Sequence, residues 1–288
     1  MLASAVAFTA MTVLIKYLGD YPPALQTFYR QAAGFAVLLP LILRQGRKAF
    51  ATTRPGILFF RSAAGTVGLM LSIYAYQEMP LADANALSFT RTLWLVPLAA
   101  FVVREKVGPL RIFAALVGFA GVLLMVRPGA DGHFALGLPA LGMLLASFLF
   151  ALTITGMKVM TRDHAPTVLL VWAVTLGLIF AIPGGVLDWR VPAPRDFVLL
   201  CLMGVLGTIT QGCYIKGMQR GDAAAMAPID YTRLVFATAA GILLFHEVPS
   251  VWTLAGAGVV VASTLFITFR EQQLARSAKL SAVPEVDG

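Results

Sequence analysis

Long apolar runs with almost nothing between them set the tightest limit on what this chain can fold into. Ten stretches stand out: 2–18, 24–43, 57–77, 82–103, 109–126, 136–159, 166–187, 197–216, 223–245 and 251–269. Each is close to the roughly 20 apolar residues that a helix needs to cross a bilayer. The connectors carry helix breakers, as at Pro22-Pro23, Arg54-Pro55-Gly56, Pro192-Ala193-Pro194 and Pro249-Ser250. Continuous runs exclude the alternating pattern of a β-barrel. Charge is also scarce: 12% of the 288 residues are charged, about half of the roughly 25% usual in a soluble domain. The expected fold class is an all-α polytopic membrane protein with ten transmembrane helices, embedded in a lipid bilayer.

The net charge of +8 marks topology rather than a nucleic-acid surface. With the N-terminus inside, fourteen of the 22 Lys and Arg residues fall in cytoplasmic loops and the tail, and four in the outer loops. The positive-inside rule then places both termini in the cytoplasm. The first run starts at Met1 with no basic segment ahead of it, so no cleavable signal peptide is expected. The same abrupt start is what a chain short of a few N-terminal residues would show. Cys201 and Cys213 lie on one predicted helix, twelve residues apart. That is roughly 18 Å along the axis, too far for a disulfide, so both are expected to pack.

The chain also repeats. A shift of 142 residues aligns Phe8 with Phe150, Lys16 with Lys158, Gly65-Thr66 with Gly207-Thr208, Gln77 with Gln219, Thr90-Arg91 with Thr232-Arg233, and Glu105 with Glu247. Each half then holds five helices. Five is odd, so the second half enters the membrane inverted relative to the first. Inverted repeats are a device of secondary transporters, with the substrate held near the midplane between the halves.

Particular motifs carry a family resemblance. The segment Met79-Pro80-Leu81-Ala82-Asp83-Ala84, the following Phe89-Thr90, Arg104-Glu105-Lys106-Val107-Gly108, Gly118 to Gly121 and Arg127-Pro128-Gly129 resemble the EamA-type repeat of the drug/metabolite transporter superfamily. Arg30 and Arg61-Ser62 also resemble family positions. The resemblance covers nearly the whole chain. It implies a small-molecule permease, commonly an exporter of amino acids and other metabolites, in a bacterial inner membrane. It also implies that helices three, four, eight and nine, with one and six, surround a central cavity. Where many relatives carry Pro near position 91, this chain carries Arg91. The expected units are 1–130 and 131–270, two five-helix repeats, followed by a polar cytoplasmic tail over 271–288.

Charges inside spans are costly, at least a few kcal/mol each, and mark function. Arg30, Arg61, Arg91 and Arg233 fall within spans, with Asp230 the clearest acidic residue there. Arg91 lies eight residues past Asp83 and Arg233 eleven past Asp222, roughly 12 and 16 Å into a core about 30 Å thick. Both are expected to face one cavity, and Arg91 or Arg233 to contact an anionic group of the substrate there, because a guanidinium is a planar fork that matches carboxylate or phosphate. The competing expectation is an i, i+3 ion pair of Asp230 with Arg233. Asp230 is also the candidate for proton coupling. Arg61 is expected to snorkel to the interface, and Arg30 to bond between helices.

Thr90 and Trp94 share a helix face, as do Tyr74 and Gln77. With Tyr214, Gln211, Tyr231 and Trp172, they are candidates for shaping the substrate site; an interfacial belt is the alternative for aromatic residues near helix ends. Glu105 and Glu247 are expected to anchor loop amides. Gly118 with Gly121, Gly204 with Gly207, and the run Ala255 to Gly258 are expected to let helices approach closely. No nucleotide-binding loop, nucleophile elbow or paired-His metal motif occurs in the sequence. A non-enzymatic permease is therefore expected, with no cofactor or metal, a small-molecule substrate, protons as a possible coupling ion, and a monomeric or homodimeric state. Two alternatives stand: uptake or exchange of a larger nucleotide-like metabolite, and an accessory membrane subunit without transport.

Overall fold

A computed structural model describes residues 2–101, 108–125, 137–160, 164–220 and 223–281. All described regular structure is helical: α1 (Leu2–Tyr17), α2 (Pro23–Gln45), α3 (Pro55–Glu78), α4 (Leu81–Ser88), α5 (Thr90–Phe101), α6 (Pro109–Met125), α7 (Leu138–Met160), α8 (Pro166–Leu187), α9 (Pro194–Arg220), α10 (Ala223–Phe245) and α11 (Val251–Ser281), with a 3-10 turn at Gly46–Phe50. Proline opens α2, α3, α6, α8 and α9, where its missing N–H costs nothing and its fixed φ suits the first turn.

Two elements differ from the sequence expectation. The run 82–103 is not one helix but two, α4 and α5, separated at Phe89. The Phe89 N–H bonds the Ala86 carbonyl at 3.2 Å and the Thr92 N–H bonds the Phe89 carbonyl at 3.0 Å, so the ladder tightens to three-residue spacing there. Hydroxyl groups take up the released carbonyls. Leu87 O accepts from Thr90 Oγ1 at 2.7 Å and from Ser147 Oγ at 3.3 Å, and Asn85 O accepts from Ser88 Oγ at 2.7 Å. Serine and threonine are what allow a broken helix inside a membrane. The second difference is at the C-terminal end. A loose tail is expected from 270, yet α11 continues to Ser281. Its added turns are rich in Glu, Gln, Ala, Leu, Arg and Lys, all strong helix formers, and Arg270 Nη1 donates to Gln273 Oε1 at 3.1 Å.

Among the described residues, five helices contain segments long and apolar enough to cross a membrane: Pro55–Glu78, Leu138–Met157, Thr167–Leu187, Pro194–Cys213 and Val251–Arg270. Shorter apolar helices run over Ala5–Tyr17, Ile112–Leu124 and Arg233–Phe245. The outer surface is apolar too. Phe113 is 65% exposed and Leu243 74%, as suits side chains that face lipid.

Helix packing sets the site. α3 packs on α7 and α8, α2 on α8 and α9, and α1 on α9 and α10, while α6 and α11 pair with each other. The core runs through Ile15, Leu25, Ile73, Leu87, Leu93, Met143 and Met203. Lipid tails are as apolar as leucine, so these contacts stabilise through close packing rather than escape from water. Glycine supplies the closeness. A Cβ on Gly121 would lie 2.8 Å from Val259 Cγ1 on α11, and one on Gly204 would lie 2.7 Å from the Arg30 carbonyl oxygen on α2. Gly258, by contrast, has nothing within 4 Å of such an atom.

At one end of the bundle a polar knot ties distant segments together. Lys16 pairs with Glu247 and also donates to Met79 O at 2.6 Å, and Glu247 Oε2 accepts from the Leu81 N–H at 2.8 Å. The end of α1, the α3–α4 turn and the residues after α10 are thereby tied together. Glu247 thus binds a loop amide as expected. Glu105, Arg104, Lys106, Arg127-Pro128-Gly129 and His133 lie outside the described residues.

Candidate functional site

A cavity of about 220 Å³ opens between the helices. α1, α2, α3, α4, α5, α7, α8, α9 and α10 contribute to its wall; among the described residues α6 and α11 do not. The six helices that the family resemblance implies all take part, and α2 and α8 join them.

Four arginines reach this cavity: Arg30 from α2, Arg61 from α3, Arg91 from α5 and Arg233 from α10. Arg61 and Arg233 are each only 5% exposed. The helix break explains part of the arrangement, since Ser88 and Arg91 flank Phe89 and both line the cavity. Arg233 lies over the Phe8 ring, its Cζ 4.4 Å from the centroid, and Phe8 meets the Tyr76 ring edge-on at 6.4 Å. Cation–π contact of this kind is worth about 2 kcal/mol when desolvated.

Arg61 and Arg30 are held by other helices. Arg61 does not snorkel to the interface. Its Nε donates to Thr153 O at 3.3 Å and its Nη2 faces Met157 Sδ at 3.7 Å, so α7 holds the side chain inward. Arg30 crosses to α9: a Cβ on Gly207 would lie 2.6 Å from Arg30 Nε. Gly207 therefore makes room for a guanidinium, whereas Gly204, one turn earlier, makes room for a backbone. Arg61 and Tyr76 are fifteen residues apart on α3, roughly 22 Å along its axis, which separates the Arg61 end of the cavity from the Arg233 end.

The other sequence candidates fall elsewhere. Trp94 packs edge-on against Phe119 at 4.8 Å and Phe148 at 5.3 Å and is not among the lining side chains. Thr90 caps the break through Leu87 O. Tyr74 lies against α7, 3.6 Å from where a Gly142 Cβ would stand. Gln77 Nε2 donates to the Tyr21 carbonyl at 2.9 Å. Trp172 donates to Phe50 O at 3.2 Å and packs on the Phe50 ring. Gln211 does line the cavity. The side chains of Tyr214, Asp230 and Tyr231 lie outside the described part of the chain. Among the described residues no cluster of His, Cys, Asp and Glu suits a metal ion.

Several lining residues went unmarked by type, yet the 142-residue register points to them. Seven pairs of lining residues stand 142 apart, among them Phe8 with Phe150, Gln31 with Ala173, Leu69 with Gln211, and Arg91 with Arg233. Much of the wall is thus built from positions 142 residues apart.

A sequence model of the EamA-like transporter family matches residues 1–127 and again 137–269. An S-adenosylmethionine uptake transporter of Rickettsia bellii is 29% identical, over 94% of this chain and 93% of its own. A riboflavin transporter of Brucella anthropi is 25% identical, over 96% and 100%. The pseudopaline exporter CntI of Pseudomonas aeruginosa is 26% identical, over 91% and 92%. A solved crystal structure shares the fold, with a TM-score of 0.62 at 19% identity, over 94% of this chain and 98% of that one.

Proposed function

Because the chain belongs to the EamA-like transporter family, and is thus a small-metabolite permease of the membrane, we propose that it exports amino acids or similar small carboxylates by alternating access. The observation that carries the substrate class is the convergence of Arg30, Arg61, Arg91 and Arg233 on one cavity. Buried guanidinium groups cost several kcal/mol each in lost hydration. A carboxylate held by two parallel N–H···O bonds offsets that cost and supplies the geometry for recognition. Arg91 and Arg233 hold the carboxylate, while Tyr76 and Phe8 give the apolar side chain a surface. Asp230, three residues before Arg233, is the candidate for proton coupling.

In this reading residues 1–130 and 131–270 form two inverted halves in the inner membrane, with both termini cytoplasmic. Three observations support it. α6 and α11 begin 142 residues apart, at Pro109 and Val251. The packing is reciprocal: α3 on α7 answers α1 on α9, and α5 on α7 answers α1 on α10. The cavity wall contains the seven matched pairs. The Lys16–Glu247 knot then closes the outer end, and its opening is the outward step.

The test is counterflow into proteoliposomes loaded with a mixed amino-acid pool, with labelled amino acids added one at a time. Accumulation of at least one is expected. None, from folded and inserted protein, would overturn the amino-acid reading. The relatives named for S-adenosylmethionine uptake favour a second reading, uptake of a nucleoside-like metabolite; labelled S-adenosylmethionine in the same assay distinguishes it.

A further inference from the structure

The two arginine pairs of the cavity differ in symmetry. Arg91 and Arg233 are matched by the 142-residue register. Arg30 and Arg61 are not: their counterparts are Trp172 and Met203. Ser62 and Thr210 also line the cavity, and their counterparts are both glycine, Gly204 and Gly68. At these four positions a hydrogen-bonding side chain in the wall has a counterpart that cannot play the same part.

These four also share an unmet demand. Arg30 Nε, Arg61 Nη1, Ser62 Oγ and Thr210 Oγ1 are each shielded from solvent without a hydrogen-bond partner. Arg61 is 5% exposed and Ser62 likewise. A buried donor left unpaired is costly, more so when charged, so a ligand in the cavity is expected to meet these groups. All four can donate, and two carry permanent positive charge. Nothing but an acceptor, and best an anionic one, satisfies them together.

Resting on the carboxylate reading of the cavity, we infer that Arg30, Arg61, Ser62 and Thr210 form a second anion subsite, and that the preferred substrates carry two acidic groups. One group sits between Arg91 and Arg233. The other, a carboxylate or phosphate, sits at Arg61 and Arg30. Because the counterpart positions carry Trp172, Met203, Gly204 and Gly68, this subsite has no duplicate, and that fixes which way round the substrate lies.

The test compares matched ligands by titration calorimetry on the full chain purified in detergent: L-glutamate with L-glutamine, L-aspartate with L-asparagine, and O-phosphoserine with serine. The doubly acidic member of at least one pair is expected to bind tenfold tighter or more. Arg61→Gln is expected to weaken the diacid about tenfold and the monoacid much less, so that their ratio falls towards one. Thr210→Val, which leaves every charge in place, is expected to narrow the ratio several-fold and serves if Arg61→Gln does not fold. Equal binding within every pair would overturn the second subsite while leaving the carboxylate reading intact. A ratio untouched by both variants would overturn its assignment to these residues. No binding by any of the six compounds would overturn the carboxylate reading and this inference with it.

Discussion

Gly204 and Gly207 show how one residue type does two jobs a single turn apart. At Gly204 an added methyl would meet Ala33 Cβ at 2.5 Å and the Arg30 carbonyl at 2.7 Å. Neither can swing away, so α2 and α9 must separate. Gly204→Ala is expected to cost about 1–3 kcal/mol, the usual penalty of overpacking, read as a lower unfolding temperature in detergent. At Gly207 the same methyl meets only the flexible end of Arg30. Gly207→Ala is expected to leave the unfolding temperature nearly unchanged and to lower substrate affinity, because Arg30 must leave its seat. The sequence marks both glycines as packing residues, since the pattern of small residues is all it displays. Where Arg30 ends depends on how α2 crosses α9, a fact of tertiary geometry. Arg61 makes the same point. Its place near a helix end suggests snorkelling, and only the docking of α7 turns it inward to Thr153.

At the level of elements, the break between α4 and α5 is the feature that the apolar pattern conceals. The stretch 82–103 is apolar throughout, and hydropathy cannot separate one long helix from two short ones. The polar residues Asn85, Ser88 and Thr90 were the available signal, and their bonding explains the break. Leu87 O has two hydroxyl donors, Thr90 Oγ1 and Ser147 Oγ. Thr90→Val or Ser147→Ala alone leaves it the other hydroxyl and the Phe89 N–H and is expected to cost under about 1 kcal/mol. The double variant leaves it only the Phe89 N–H, which it shares with Ala86 O, and is expected to cost more than the two singles together. Thermal unfolding of the four proteins measures that difference. The same break puts Ser88 and Arg91 on the cavity, so the double variant is also expected to slow transport.

For the whole molecule, the legible part is the most general: helical and membrane-spanning. Apolar length carries that information in any bilayer. The register extends further than residue type alone suggests, because it pairs Phe8 with Phe150 and Arg91 with Arg233 in one wall. Two inverted five-helix halves require an even number of crossings, so both termini are expected on the cytoplasmic face. A cytoplasm-active reporter fused in turn to each terminus checks this; activity at one end only would contradict the inverted halves. At Arg30, Arg61, Ser62 and Thr210 the counterpart residues differ in kind, and substrate specificity is expected to reside there.

The claim at the centre is that the paired arginines grip the substrate's carboxylate. Counterflow of the transported amino acid into proteoliposomes, with Arg91→Leu and Arg233→Leu beside the unaltered protein, tests it most directly. Each variant first has to match the unaltered protein in unfolding temperature and insertion. The expected result is at least tenfold slower accumulation in both, which corresponds to the loss of about 1.4 kcal/mol or more of substrate interaction. Undiminished counterflow in both folded variants would contradict it.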